Sequence, residues 1–184
     1  MMAFGTEPRN GDAENLTRWQ TILLACACAF GVVRLLWHRR LHLPRRRVGE
    51  NVALPDGRRF VVFRETSRDA DGGVSQPVSP PVLLAVWFHL RGVPAGARFR
   101  RWLFERCSIV NTVLFAGFDG YLVKLWMVDP ETSDYAGLYS FAWEGDAQRY
   151  GRYITSVLRW VSTPHSVGFE VDPRTTLDTY LARQ

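Results

Sequence analysis

Lys124 and Trp126 stand two residues apart in the run YLVKLWMV, and Tyr139, Phe141 and Trp143 repeat that spacing in a second β-like run. Alternate side chains of an extended chain share a face, so each set presents its groups on one side of a strand. Trp87 and His89 share a face of an earlier strand in the same way. Facing a cavity, these sets make an aromatic-walled pocket with a few polar handles, the usual build of a small-molecule site. Facing the core or a second protomer they are packing, the commonest role of such rings. His89 is the candidate catalytic group, because imidazole titrates near neutral pH and a strand end is a place from which a base reaches substrate. Its structural alternative is a histidine that is simply hydrogen-bonded or exposed. Asn111 is suited to orient a carbonyl, with a helix C-cap as its alternative.

Other polar groups point away from chemistry. His165 lies near Ser162 and Ser166, but no acid accompanies them and Pro164 makes the stretch a turn, so no triad is read there. Asp129, Glu131 and Asp134 read as a solvated turn. The four histidines, His38, His42, His89 and His165, lack Cys or acidic partners at ligand intervals, and arginines surround the pair His38 and His42. No metal and no cofactor are expected. Three cysteines, two of them (Cys26 and Cys28) within one apolar run, make no disulfide framework.

The elements that must hold these residues can be read along the chain. Val82–Leu90 is a strand apolar on both faces, which implies a cover on each. Residues 94–111 place Phe99, Trp102, Leu103 and Val110 on one side of a helix. Strands follow at Tyr121–Val128 and Tyr135–Trp143, joined by the turn DPETSD. A second helix from Asp146 has Ala147, Tyr150, Ile154, Val157, Leu158 and Val161 at helical spacing and stops before Pro164. A fourth strand is Ser166–Asp172. The resulting class is α+β, a ferredoxin-like β-α-β-β-α-β sandwich over 82–173. Ahead of it, 52–65 reads as a short hairpin around Pro55-Asp56-Gly57, and the small, polar, Pro-rich 66–81 as a flexible linker. Residues 174–184 form a tail or short helix, with Thr175 and Asp178 at capping-box spacing.

Charge is uneven. The net +5 comes from ten Arg against three acids in residues 34–68, whereas 80–184 carry eleven bases against ten acids. A folded nucleic-acid binder places its basic stripe on the docking face, so nucleic acid is not an expected partner. The excess instead follows an apolar stretch, 19–37, read as a hydrophobic helix and membrane anchor if Arg34 snorkels. An interfacial helix and a helix packed on the domain are its alternatives. Residues 1–18 read as a disordered N-terminus and 38–51 as a basic juxtamembrane segment. The positive-inside rule then gives a single-pass protein of the cell membrane with its domain on the cytoplasmic side.

The stretch Gly117–Val171 resembles the dimeric α/β-barrel superfamily, and more closely actinobacterial relatives of the YdhR-type mono-oxygenase-like proteins. The likeness rests on Lys124, Trp126, Met127, Val128 and Asp129; on Tyr135, Gly137, Tyr139 and Trp143; on Ala147 and Tyr150; and on Ser162, Pro164, Ser166 and Val167. His165 stands where those relatives are expected to have Gly. The resemblance implies a homodimer whose protomers press their sheets together, and a small hydrophobic or aromatic molecule bound between sheet and helices. It also implies a mono-oxygenase-like activity. A noncatalytic ligand sensor or carrier and a structural membrane-associated dimer are the competing expectations.

Overall fold

Apolar, β-branched and aromatic runs pair into one antiparallel sheet in the computed structural model, which describes Trp19, Cys26 and residues 41–54, 56–69, 80–92 and 115–184. Its strands are β1 (Leu41–His42), β2 (Asn51–Ala53), β3 (Arg59–Arg68), β4 (Val82–His89), β5 (Tyr121–Val128), β6 (Asp134–Phe141) and β7 (Gly168–Asp172). Two helices accompany them, α1 (Glu144–Val161) and α2 (Leu177–Leu181). The order is β1-β3-β5-β6-β4-β7, with β2 sharing the outer edge of β3. This is an α+β fold, and its β5-β6-β4-β7 portion is consistent with a ferredoxin-like sandwich. The helix expected at 94–111 lies outside the described residues, as does the 19–37 segment apart from Trp19 and Cys26. Among the described residues no helix is long and apolar enough to cross a membrane.

The sheet is wider than the stretch 82–173. The hairpin of β2 and β3 closes through Gly57 at φ 85°, and β3 pairs with β5 from Val61 to Ser67. Thr66–Arg68, read from composition as the start of a linker, therefore belong to a strand, because the partners Lys124 and Val123 fill their ladder positions. Residues 41–42, read as juxtamembrane, form β1 against Ser67 and Arg68. Arg47 sits behind them. Its guanidinium lies 3.0 Å from Glu65, a residue only 3% exposed, and also reaches Asp178 in the first turn of α2. That arginine is committed to the fold, because a carboxylate so buried needs a paired charge.

Two cores lie on opposite faces. Val82, Leu84 and Val86 of β4, Trp126 of β5 and Tyr139 and Phe141 of β6 pack under α1 through Ala147, Tyr150, Tyr153 and Ile154. The other face gathers Leu83, Leu125, Met127, Ala136 and Leu138 with Val52, Phe60 and Val62 of the hairpin and Leu177 of α2. The cover anticipated for the doubly apolar β4 thus comes partly from the chain's own tail. Thr176, one residue after the expected cap, accepts from the Thr179 amide to start α2. The Tyr180 hydroxyl donates to the Ala53 carbonyl at 2.7 Å, and Gln184 Oε1 accepts from the Ala53 amide. Burial pushes the Tyr180 phenol up to about 12, so it remains a donor. These bonds occupy the backbone of an edge strand that would otherwise be open.

Helix α1 begins earlier than expected, at Glu144, with Glu144 and Asp146 in its first turn and Arg159 in its last, as the helix dipole favours. Val161, which continues the apolar spacing, is half exposed at the last turn, where its carbonyl accepts from the Arg91 amide. His165 takes a left-handed backbone, φ 63°, in the turn after Pro164.

Candidate functional site

Strand β5 runs between β3 and β6, so both edges of its backbone are paired and its side chains are held in place. A register shift between Tyr121 and Val123 turns Tyr121 to the side of Lys124 and Trp126, the face under α1. Lys124 stands between its register partners Thr66 and Tyr139 and is 5% exposed. Its Nζ is 3.1 Å from the ring centre of Trp126, 4.3 Å from Phe115 and 4.7 Å from Tyr139. Among the described residues no carboxylate pairs with it. Burial, with the nearby Arg64 charge, pulls its pKa well below the ordinary lysine value. An amine so placed favours its neutral form, because a desolvated charge without a counter-ion is the costlier state.

The rings around Lys124 are fixed by their own hydrogen bonds. Trp126 Nε1 donates to Thr66 Oγ1 at 3.1 Å, and the Tyr121 hydroxyl donates to the Thr66 carbonyl at 2.8 Å. The Tyr150 hydroxyl donates to that of Tyr139 at 3.2 Å, and burial raises the Tyr139 phenol so that it stays protonated. Gly137 lies beneath the Tyr139 ring, where a Cβ would come within 2.8 Å of it. Phe115 stands edge-on to Trp126, Tyr121 and Tyr139. The result is an amine inside a rigid aromatic box, able to accept or donate a hydrogen bond or to act as a nucleophile.

The other sequence candidates divide between places. Phe141 belongs to the same core, packed on Tyr121 and Tyr150 behind the amine. Trp143 does not share that face: β6 ends at Phe141, Ala142 donates to Gly120 O, and Trp143 becomes the N-cap of α1, 42% exposed. Trp87 and His89 share a face as expected, but it is the opposite one, where Trp87 packs with the α2-side core and lies over Gly168. Asn111 lies outside the described residues.

His89 is not alone. Its Nδ1 is 2.7 Å from Asp134 Oδ1, across the β4–β6 register, and Arg58 reaches Asp134 Oδ2 at 3.5 Å. A carboxylate on Nδ1 orients an imidazole and leaves Nε2 for another partner. Asp134 is therefore not a solvated turn residue. Asp129 is not one either: it is buried, and its Oδ1 accepts from the Glu131 and Thr132 amides to shape the turn. Among the described residues no group of His, Cys, Asp or Glu side chains is disposed to hold a metal ion.

Sequence reasoning missed Thr66, Phe115, Asp134 and Arg58, since each meets its partner only through tertiary pairing. It also passed over a signal present in the composition. The chain holds 23 basic residues, and Lys124 is its one lysine; the other 22 are arginine. Guanidinium stays charged at any ordinary pH whereas an amine can shed its proton, so the single lysine occupies the one described basic position sealed among aromatic rings. No family model, no curated protein and no solved structure matches this chain.

Proposed function

We propose that this chain binds a small hydrophobic or aromatic molecule on the α1-covered face of its sheet, with Lys124 as the polar handle and Trp126, Phe115 and Tyr139 as the walls. One observation carries the reading: Lys124 Nζ is buried against three rings with no carboxylate partner among the described residues. A core has no need of such a group, because an amine moved from water into a ring-lined interior costs about 1–3 kcal/mol relative to an apolar side chain. A ligand carbonyl or carboxylate would satisfy it. The finer fold assignment, a ferredoxin-like sandwich of the dimeric α/β-barrel type, belongs to the same proposal and is supported by the β5-β6-β4-β7 strand order.

The homodimer and the anchor are proposals too. Ala85 and Trp87 are half-buried on the α2-side face near β7, where a second protomer's sheet would pack. The anchor rests on the apolar run of 19–37 and the arginines that follow it. Full-length protein extracted in mild detergent and read by native mass spectrometry tests these points together. The expected result is a dimer that retains a small molecule, with the molecule lost in Trp126→Ala. A monomer that carries no molecule and takes up none from a panel of aromatic acids, alcohols and aldehydes would overturn the reading. Recovery of the full chain in the soluble fraction after gentle lysis would count against the anchor.

A second reading, catalysis of mono-oxygenase-like type, is favoured by the His89–Asp134 pair at 2.7 Å. The sheet separates that pair from Lys124, so His89 would act on a molecule bound at the opposite face. Loss of a measured turnover in His89→Ala, with ligand retention at Lys124 unchanged, is its expected signature.

A further inference from the structure

We propose that Lys124 captures carbonyl compounds, so that the ligand class of this site is small aromatic aldehydes and ketones, held as an imine on Nζ. This rests on the binding reading above and narrows it. The handle accepts two ligand chemistries in principle. A carboxylate ligand requires an ammonium, which burial without a paired carboxylate and the nearby Arg64 charge disfavour, against the attraction of the three ring faces for a cation. A carbonyl requires a free lone pair, which the same surroundings favour. The use of arginine at the other 22 basic positions points the same way, because guanidinium has neither a neutral form nor a nucleophilic lone pair at ordinary pH.

Geometry supplies the rest. Trp126 is locked by Thr66 and Tyr139 by Tyr150, so an aromatic carbonyl compound meets walls already ordered for stacking. The step is redox-neutral. The Nζ lone pair adds to the carbonyl carbon, one proton passes from nitrogen to the new alkoxide, and the hydroxyl leaves as water with the second nitrogen proton, relayed through solvent, as the C=N bond forms. Hydrolysis reverses it.

The composition makes the test clean, because Lys124 and the chain's amino terminus are its only primary amines. Full-length protein in mild detergent is incubated with 2-naphthaldehyde and sodium cyanoborohydride at pH 7, natively and in urea, and the adducts are located by peptide mapping. In the unfolded chain Lys124 is an ordinary, protonated lysine and serves as the internal reference. The native chain is expected to label at Lys124 at least tenfold faster than the unfolded chain, and Lys124→Arg is expected to label at the amino terminus alone. Native labelling at Lys124 no faster than in urea overturns the proposal, whether or not any variant folds. Binding of 2-naphthalenemethanol, followed by tryptophan quenching, separates the two levels: the alcohol bound without aldehyde capture refutes the imine alone, and neither compound bound refutes the site as well.

Discussion

Lys124→Met removes the amine and keeps an unbranched side chain of similar length between Trp126, Phe115 and Tyr139. In the native protein Lys124 is 5% exposed and its amine faces rings rather than water, and burying a polar group away from water costs about 1–3 kcal/mol. Methionine carries no such penalty, and its sulfur gains about 0.3–1.5 kcal/mol against an aromatic ring. The variant is therefore expected to be more stable than the native sequence at pH 7 by about 1–3 kcal/mol. For a chain of this length each kcal/mol raises the midpoint by roughly 2–4 °C. The sign with pH follows from the lowered pKa of Lys124. Between the folded value and the unfolded one the unfolded chain binds the extra proton, so native stability rises with pH across that window, by at most about 1.4 kcal/mol per unit. Below the folded value the dependence vanishes. The advantage of Lys124→Met must accordingly shrink as pH climbs toward the ordinary lysine range. Urea denaturation of both proteins from pH 6 to pH 10 measures this. A variant less stable at pH 7, with the two curves parallel in pH, would refute the reasoning, since the amine would then be charged and satisfied in the native state.

Arg47→Ala strands the Glu65 carboxylate and is expected to cost about 3 kcal/mol by urea denaturation. Arg46→Ala, at an exposed neighbouring position, should stay within about 0.5 kcal/mol. Gly137→Ala drives a methyl group into the Tyr139 ring and disturbs its bond with Tyr150, for an expected loss of about 1–3 kcal/mol and a changed near-ultraviolet circular dichroism signal. Asp134→Asn removes the charge beside a partly exposed imidazole and should lower stability by no more than about 1 kcal/mol. It should leave reductive labelling of Lys124 unchanged, because the two groups lie on opposite faces of the sheet; a changed labelling rate would show the faces to be coupled.

Strand β5 lies within the bounds its sequence predicts, Tyr121–Val128, and Lys124 shares a face with Trp126, because period-two alternation is a local property of extended backbone. Helix α1 was legible for a similar reason, its apolar spacing and the Pro after it both being local signals. Alternation sets parity within a strand only. Which face of β4 joins which face of β5 and β6 depends on register and on the shifts at Val62/Arg64 and Tyr121/Val123, and these are settled between strands far apart in sequence. That is why the aromatic candidates, grouped strand by strand with Trp143 the one misplaced beyond its strand's end, separated into two sites: Lys124, Trp126 and Tyr139 beneath α1, and Trp87 with His89 on the other side. The same distance hid Arg47 on Glu65 and Asp134 on His89, because a charged residue discloses its partner only when the chain folds back. What the sequence by itself determined was strands β4 to β7, helix α1 and the choice of lysine at position 124; the tertiary structure alone decided that β1 and the end of β3 join the sheet and that this lysine is sealed among rings, since pairing and burial belong to the packed sheet and not to any segment of it.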